Sequence, residues 1–473
     1  MLSRDLFVRL NILLLVLFFG ITTNGQNKDS TVVIRNVTVI DMLGDRPKSG
    51  LTVAVSGNRI SAIGKNAKIP SGAQVIDGAG KFLIPGLWDM HVHIFNNVSA
   101  PGTNNKDTYF PLFVANGVTG VRDMFTDADD IKLVSEWQKE MSAGYLIAPR
   151  IITASSIIDG VPVVNANSVS VSNGEEARRA VRTFKAAGAS FIKIYDNLSR
   201  ESFLAIADES KKLNIPFAGH VPKSVTAVEA SDAGQKSMEH LVRMLVACSS
   251  VEDKYKYLNS DEWTPAIRVE IVQSFDEKKC RQVGAVFARN GTWHDPTNVV
   301  SRVGLSDDES LKKDERLKYI ARGEAQYWLK FSERFNPRTR KNRELWFQRH
   351  LQITKALHDA NVSMLAGTDV GNPYIYAGFS LHDELELFVQ AGLTPFEALR
   401  TATVNPAKYL GLGKSVGTIE KGKFADLILL DANPITDISN TRKINAVIIN
   451  GRYLPRNVLD KMLLEAETGP ENK

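Results

Sequence analysis

From about residue 84 to residue 409, short apolar runs alternate with amphipathic helical stretches, and this rhythm limits the possible folds more than any other feature of the chain. Eight runs read as strands. They end at His93 (LIPGLWDMHVH), Asp123 (GVTGVRD), Thr153 (PRIIT), Tyr195 (FIKIY), His220 (IPFAGH), His240 (KSMEH), near Thr292 (AVFARNGT) and at Asp369 (SMLAGTD). The stretches EEARRAVRTFKAAGA and ESFLAIADESKKLN, on either side of Lys193, repeat their apolar residues with the period of a helix. Parallel strands that each need a helical crossover predict an α/β protein, a (β/α)8 TIM barrel spanning 84–409.

Both ends of the chain are different in character. Short β-type segments fill Thr31 to Ala67 (TVVIRNVTVI, then LTVAVSGNRISAIG), and similar ones return in GTIEKGKFADLILLDAN and INAVIINGRYL. Strands at two distant ends predict one small composite β-sandwich, built from 26–83 and 410–473. One stretch inside the barrel breaks the alternation. Residues 250–345 are charged and carry aromatics, so helical insertions are expected around 250–290 and 300–345. They read either as a solvated excursion or as a lid that sets specificity, because long additions at a catalytic face are often functional.

At the N-terminus, Arg4 and Arg9 precede an apolar stretch from Asn11 to Thr22, and TTNGQNKDS follows. That is the layout of a secretory signal, expected over 1–25. The apolar run is shorter than the roughly 20 residues a spanning helix needs. The expectation is export to the periplasm or outside the cell, with no stable membrane anchor after cleavage. Cys248 and Cys280 are the two cysteines of the chain, and an oxidising compartment permits a disulfide between them. Sequence leaves pairing and free thiols equally open. A net charge of +5 spread over 473 residues makes no basic patch, so nucleic acid is not an expected partner.

The candidate chemistry lies at strand ends. His91 and His93, at i and i+2, share one face of a strand and can share one metal ion. His220, His240 and Asp369 end three other strands, and strand ends converge at the C-terminal mouth of a barrel. Imidazoles and a carboxylate without cysteine suit zinc or a related divalent ion in a catalytic site. Lys193 ends the fourth strand. Spacing alone reads it either as a lysine paired to a carboxylate or as a metal-bridging group after carboxylation by carbon dioxide.

These segments together carry a family resemblance. IPGLWDMHVH, FIKIYDN, FAGHVP, SMEHL and LAGTDVG, followed by GFSLHDELELFVQAGLTPFEALRTATVNPAKYLGL and VGTIEKGKFADLILLDANP, resemble the amidohydrolase superfamily in its imidazolonepropionase-like and prolidase-like branch. The motifs occur in that family's order over nearly all of the chain after the signal segment. The resemblance implies two divalent metal ions, zinc foremost. His91 and His93 would bind the more buried ion, and His220 and His240 the more exposed one. Lys193, as a carbon dioxide-derived carbamate, would bridge both. Asp369 would bind the buried ion and act as the catalytic acid–base. The chain departs from its relatives near the seventh strand, where Pro296-Thr297 follows Gly291-Thr292-Trp293-His294-Asp295 and a long charged excursion comes next.

The activity implied is hydrolysis of an amide C–N bond by a hydroxide bridging two metal ions, in a dipeptide, an N-acyl amino acid or a cyclic amide. A metal-dependent esterase or lactonase on the same scaffold, and a ligand-binding pseudoenzyme without turnover, are the alternatives. The expected partner is a small molecule or dipeptide, with a homo-oligomer open. Four further residues are candidates for substrate contact. Tyr195 shares the strand face of Lys193, and otherwise reads as core. His382 follows the last strand and otherwise reads as a helix-end histidine. His294 flanks the seventh strand. Arg122 ends the second strand and binds an acidic group or pairs with Asp123.

Overall fold

The computed structural model describes residues 31–95, 105–258, 262–306, 308–333 and 339–468. The expected signal segment, 1–25, lies outside them. Among the described residues, no helix is long and apolar enough to cross a membrane.

The middle of the chain is a parallel barrel. Its strands are Leu87–Val92, Val118–Asp123, Arg150–Asp159, Phe191–Ile194, Phe217–Gly219, Ser237–Glu239 and Trp293–Asp295, and each pairs with the next in chain order. The eighth position is filled by an extended segment, 363–370, and not by a regular strand. Met364 bridges to His294 and Val370 to Val92, both in parallel. Leu365 N donates to His294 O at 2.9 Å, Met90 N to Ala366 O at 2.9 Å, and Asp369 N to His91 O at 2.7 Å. The segment therefore satisfies backbone groups on both neighbours and closes the ring.

Local chemistry fixes the helices around it. Gly174–Ala187 starts at Asn173, whose side chain accepts from Glu176 N, and stops at Gly188 with φ 97°. Its buried residues Ala177, Ala180, Val181 and Phe184 lie three and four apart, the stripe that packs on the sheet. Ala227–Asp232 carries a reciprocal capping box between Thr226 and Glu229.

Two expectations about the excursion change. AVFARNGT is not the seventh strand: Ala285 to Asn290 end the helix Glu277–Asn290, which is capped by Gly291 at φ 70°, and the strand begins at Trp293. Cys280, Val283, Gly284 and Phe287 are the helix's buried positions, so a 3.6 period outweighs the short apolar run. This helix packs against Arg340–Asp359 in the outer layer, so 277–290 is part of the barrel's own ring and not an insertion. The additions proper are shorter helices, among them Pro265–Gln273, Asn298–Val303 and Arg322–Ser332. Cys248 and Cys280 form a disulfide, with Cα atoms 4.3 Å apart, that ties the helix Val242–Ala247 to Glu277–Asn290.

The two ends of the chain meet in one mixed sheet. Its order runs Arg452–Pro455, Ile444–Ile449, Leu427–Leu430, Phe82–Pro85, Thr31–Val39, Lys48–Ser56, Arg59–Gly64, and Gln74–Asp77 pairs with Thr31–Val39 beside Phe82–Pro85. Of GTIEKGKFADLILL, only Leu427–Leu430 is strand; the residues before it run as a loop. Phe82–Pro85 and Leu427–Leu430 join the termini in antiparallel register. Leu427 and Leu429 enter the sheet's own core with Val32, Ile34 and Ile448, while Ile428 and Leu430 enter the barrel's main core. Strand alternation thus welds the sheet to the barrel. The last helix, Arg456–Glu467, leaves the sheet and packs against the helix Lys106–Ala115.

Candidate metal and active site

The expected metal residues converge at the C-terminal mouth of the barrel. Asp369 stands between two sets of imidazoles. Its Oδ1 lies 3.1 Å from His93 Nε2 and 3.3 Å from His91 Nε2, and its Oδ2 lies 3.7 Å from His240 Nε2. The rings form a chain: centroids are 5.4 Å apart for His91 and His93, 4.8 Å for His91 and His240, and 4.8 Å for His220 and His240. Three of the rings are held from behind. His91 Nδ1 meets Glu239 Oε2 at 3.3 Å, His220 Nδ1 meets Asp196 Oδ1 at 2.9 Å, and His240 Nδ1 meets Thr297 Oγ1 at 2.7 Å. Such partners orient an imidazole so that its other nitrogen faces the ion.

The backbone is shaped for this crowding. His240 and Asp369 both have φ 61°, a left-handed conformation uncommon for residues with a side chain, and it occurs at the ends of the sixth strand and the eighth segment. The turn lets Glu239 and His240 both reach the interior from adjacent positions. Gly367 admits the closest approach: a Cβ there would lie 2.4 Å from Asp295 Oδ2 and 2.6 Å from His91 Cβ. Gly219, at φ +134°, does the same beneath Lys193, because a Cβ would stand 2.3 Å from Ile194 O and 3.1 Å from Lys193 Cδ.

Electrostatics match a cation site. Burial keeps the His91 imidazole neutral, well below its ordinary range, and pushes His240 down to about 3. Neutral rings keep a lone pair to offer a metal. Burial raises the Asp369 carboxyl, but the surrounding imidazoles of His91, His240 and His93 hold it ionised, well below its usual range. Lys193 is closed to solvent, and burial lowers its ammonium to about 8 although Glu239 and Asp369 favour the charge. His91 Nε2, on the side of Asp369, is buried with no hydrogen-bond partner, an expensive condition that a divalent ion beside it and Asp369 would relieve. His91, His93 and Asp369 bring their ligand atoms within 4.8 Å of one another. His91, His93 and Asp369 fit a divalent ion by donor type, by charge and by spacing.

A second grouping, His91, Glu239 and Asp295, also meets that spacing, but a cation already occupies it. Arg122 Nη2 lies 2.9 Å from Glu239 Oε2 and 3.5 Å from Asp295 Oδ2. Arg122 also donates to Met90 O, Ser237 Oγ and Tyr409 OH. It is wholly buried below the metal residues, which corrects the expectation that it contacts substrate or pairs with Asp123. Its five donors are spent on the barrel interior, while Asp123 accepts from Ile94 N, Phe125 N and Thr126 Oγ1.

Two other expected contacts are likewise displaced. His382 is buried in packing, with Nδ1 2.9 Å from Thr441 Oγ1 and Nε2 3.0 Å from Asn116 O, so both nitrogens are committed away from the mouth. The His294 imidazole is buried with neither nitrogen hydrogen-bonded, while its strand neighbour Asp295 enters the Glu239 cluster. A two-residue alternation explains why the aspartate, not the histidine, faces inward. Tyr195 does reach the site. Its ring stacks on His220 at 3.9 Å and lines a cavity of about 750 Å³ with His220, His240 and Asp369.

Several working residues escape a reading of strand ends. Asp89, two before His91, accepts from Thr368 N at 3.0 Å and Thr368 Oγ1 at 2.6 Å, fastening the first strand to the closing segment. Glu239 and Asp196 sit next to the residues already singled out. Their signal was a carboxylate adjacent to a strand-end ligand, in MEH and YDN.

Comparison with known proteins gives the same fold. The model of the amidohydrolase family matches residues 82–454. Ochratoxinase of Aspergillus niger is 22% identical over 462 aligned residues, covering 85% of this chain and 81% of its own length. Imidazolonepropionase of Thermoplasma volcanium is 34% identical over 92 residues, 19% of this chain and 22% of its own. Among solved structures, a bottromycin amidohydrolase superposes with a TM-score of 0.74 at 22% identity, covering 93% of this chain and 90% of that one. A Xaa-Pro dipeptidase with bound methionine gives a TM-score of 0.64 at 22% identity, covering 90% and 100%.

Proposed function

The chain belongs to the amidohydrolase family of hydrolytic enzymes, and we propose that it is an exported, binuclear metal-dependent hydrolase of amide C–N bonds. The carrying observation is the placement of Asp369 between His91 and His93 on one oxygen and His240 on the other. In this reading His91, His93 and Asp369 hold one divalent ion and His220 and His240 the other, with zinc the best match to the donors. Ions held there supply electrophilic stabilisation of a carbonyl oxygen and a reactive water at neutral pH.

The chain's own groups do the rest. Lys193, whose burial favours the neutral amine, would take up carbon dioxide as a carbamate with loss of a proton, and would then help hold the ions. Glu239, Asp196 and Thr297 fix the imidazoles in place. Asp369 accepts the proton of the attacking water and delivers it to the leaving nitrogen as the C–N bond breaks. The Arg122–Glu239 pair balances charge under the site without touching the substrate. Export is supported by the polar–apolar–polar pattern of 1–25 and by the Cys248–Cys280 disulfide, which suits an oxidising compartment.

Metal analysis and amide assays of the purified protein test this directly. About two divalent ions per chain are expected. Lys193→Met keeps the buried volume and should lose both activity and part of the metal. Full activity in that variant removes the carbamate from the reading, and a metal-free active protein removes the reading altogether. N-terminal sequencing of the exported protein should find cleavage near Gly25; an intact Met1 on the mature protein refutes the signal.

A further inference from the structure

The cavity above the candidate metal residues is built mainly by this chain's own excursion, and its chemistry is selective. His220, His240 and Asp369 lie in its wall, so whatever fills it also meets the metal site. Beyond them the lining comes from helices between residues 265 and 350. Val269 and Val272 of Pro265–Gln273, Val300 and Val303 of Asn298–Val303, and Leu345 and Trp346 of Arg340–Asp359 present apolar side chains. At about 750 Å³ it stands in the upper part of the range that encloses drug-sized ligands. A polar, doubly charged dipeptide would leave most of that apolar wall in water.

The charge around the cavity narrows the choice further. Two guanidiniums, Arg268 and Arg343, line it, and Asp369 is its sole carboxylate among the described residues. Arg268 lies 5.9 Å from the ring centres of both Trp263 and Trp346, which holds its planar group at the apolar wall. Arg343 donates from Nε to Gly304 O at the turn after Asn298–Val303. Among the described lining residues, a free amino group would find no counter-charge except the carboxylate reserved for catalysis. An anionic group is favoured.

We propose that the excursion forms an acyl subsite, and that the substrate is an N-acyl amino acid with a large apolar acyl group and a free carboxylate. This rests on the amide-hydrolase reading above and narrows its substrate. Water adds across the amide: the acyl carbon gains the C–O bond, the C–N bond breaks, and a proton passes to the nitrogen. The products are a fatty or aromatic acid and a free amino acid.

The test uses N-acylglycines from acetyl to octanoyl, N-octanoylglycinamide and the dipeptide Leu-Gly. With the metal-loaded enzyme, kcat/KM should rise about threefold to fourfold per buried methylene, reaching at least about 100-fold from acetyl to octanoyl. Leu-Gly should be turned over more slowly than N-octanoylglycine. Changing Arg268 and Arg343 to Gln should lower kcat/KM for N-octanoylglycine about tenfold or more and leave N-octanoylglycinamide little affected. Calorimetry on the metal-free protein supplies an independent readout: N-octanoylglycine should bind at least about tenfold more tightly than N-acetylglycine. A flat acyl profile with active enzyme overturns the subsite and leaves the hydrolase reading standing. Tight octanoyl binding without any amide turnover does the reverse. Equal losses on the acid and its amide in the arginine variants overturn the anion part, and absence of both binding and turnover overturns the whole proposal.

Discussion

Nη2 of Arg122 lies 2.9 Å from Oε2 of Glu239, and both side chains are closed to solvent. The same oxygen faces His91 Nδ1 at 3.3 Å, so one carboxylate joins the barrel's buried cation to an imidazole of the candidate metal site. Removing one member of a buried pair leaves an uncompensated charge, at a cost of about 3–5 kcal/mol. Arg122→Met should lose that much in urea unfolding, with Glu239 as the stranded partner. The double variant Arg122→Met/Glu239→Gln should recover part of the loss. A loss under about 1 kcal/mol in the single variant would show that Arg122 does not balance the site.

His382 makes a pH prediction that does not depend on metal. Burial pushes its imidazole down to about 3 from an ordinary 6.5, and its carbonyl partner, Asn116 O, is served by Nε2–H of the neutral ring. Between those values the unfolded chain binds a proton that the folded chain refuses, so stability rises with pH. The contribution is complete above pH 6.5 and is lost progressively as pH falls toward 3, by about 1.4 kcal/mol per pH unit. His382→Gln keeps a donor for Asn116 O and removes the titration. The difference in unfolding free energy between parent and variant should therefore shift in the variant's favour by about 2–3 kcal/mol from pH 6.5 to 4.5. Parallel pH profiles would refute it.

The Cys248–Cys280 bond closes a loop of sequence separation 32 that contains the cavity helix Pro265–Gln273. A loop of that length is worth about 3–4 kcal/mol through restriction of the unfolded chain. Denaturant midpoints with and without reductant should separate accordingly, and Cys248→Ala/Cys280→Ala should match the reduced protein. Coincident midpoints would mean that helix packing alone fixes the loop.

The barrel was legible because each of its elements carries its own period, and the candidate site's residues because they stand at strand ends. What the sequence hid has physical causes. The run AVFARN is apolar enough for a strand, and only its continuity with Cys280 and Val283 makes it a helix. His294 flanked the seventh strand as a candidate substrate contact, but which face of a three-residue strand points inward depends on register, and the register put Asp295 inside. Arg122 and His382 are polar residues whose partners, Glu239 and Tyr409 for one and Asn116 and Thr441 for the other, are remote in sequence. The cavity's chemistry was also out of reach, because Val269, Val300 and Trp346 meet only after the excursion folds over the mouth.

Asp369 separates catalysis from folding most sharply. Its φ of 61° lies in the left-handed region, where Asn is tolerated and Ala is strained. Asp369→Asn keeps the shape and the turn but cannot accept a proton or balance the imidazoles' ion. Its kcat should fall about 10²–10⁴-fold, while unfolding free energy stays within about 1 kcal/mol of the parent. Asp369→Ala should show the same kinetic loss with a further destabilisation of about 1–2 kcal/mol from the backbone alone, and Asp369→Gly should lose activity without that strain. Metal content must be measured beside each rate, because a lost ligand also lowers occupancy. Near-parental kcat in a fully metallated Asp369→Asn protein would remove Asp369 from proton transfer and leave it a ligand only.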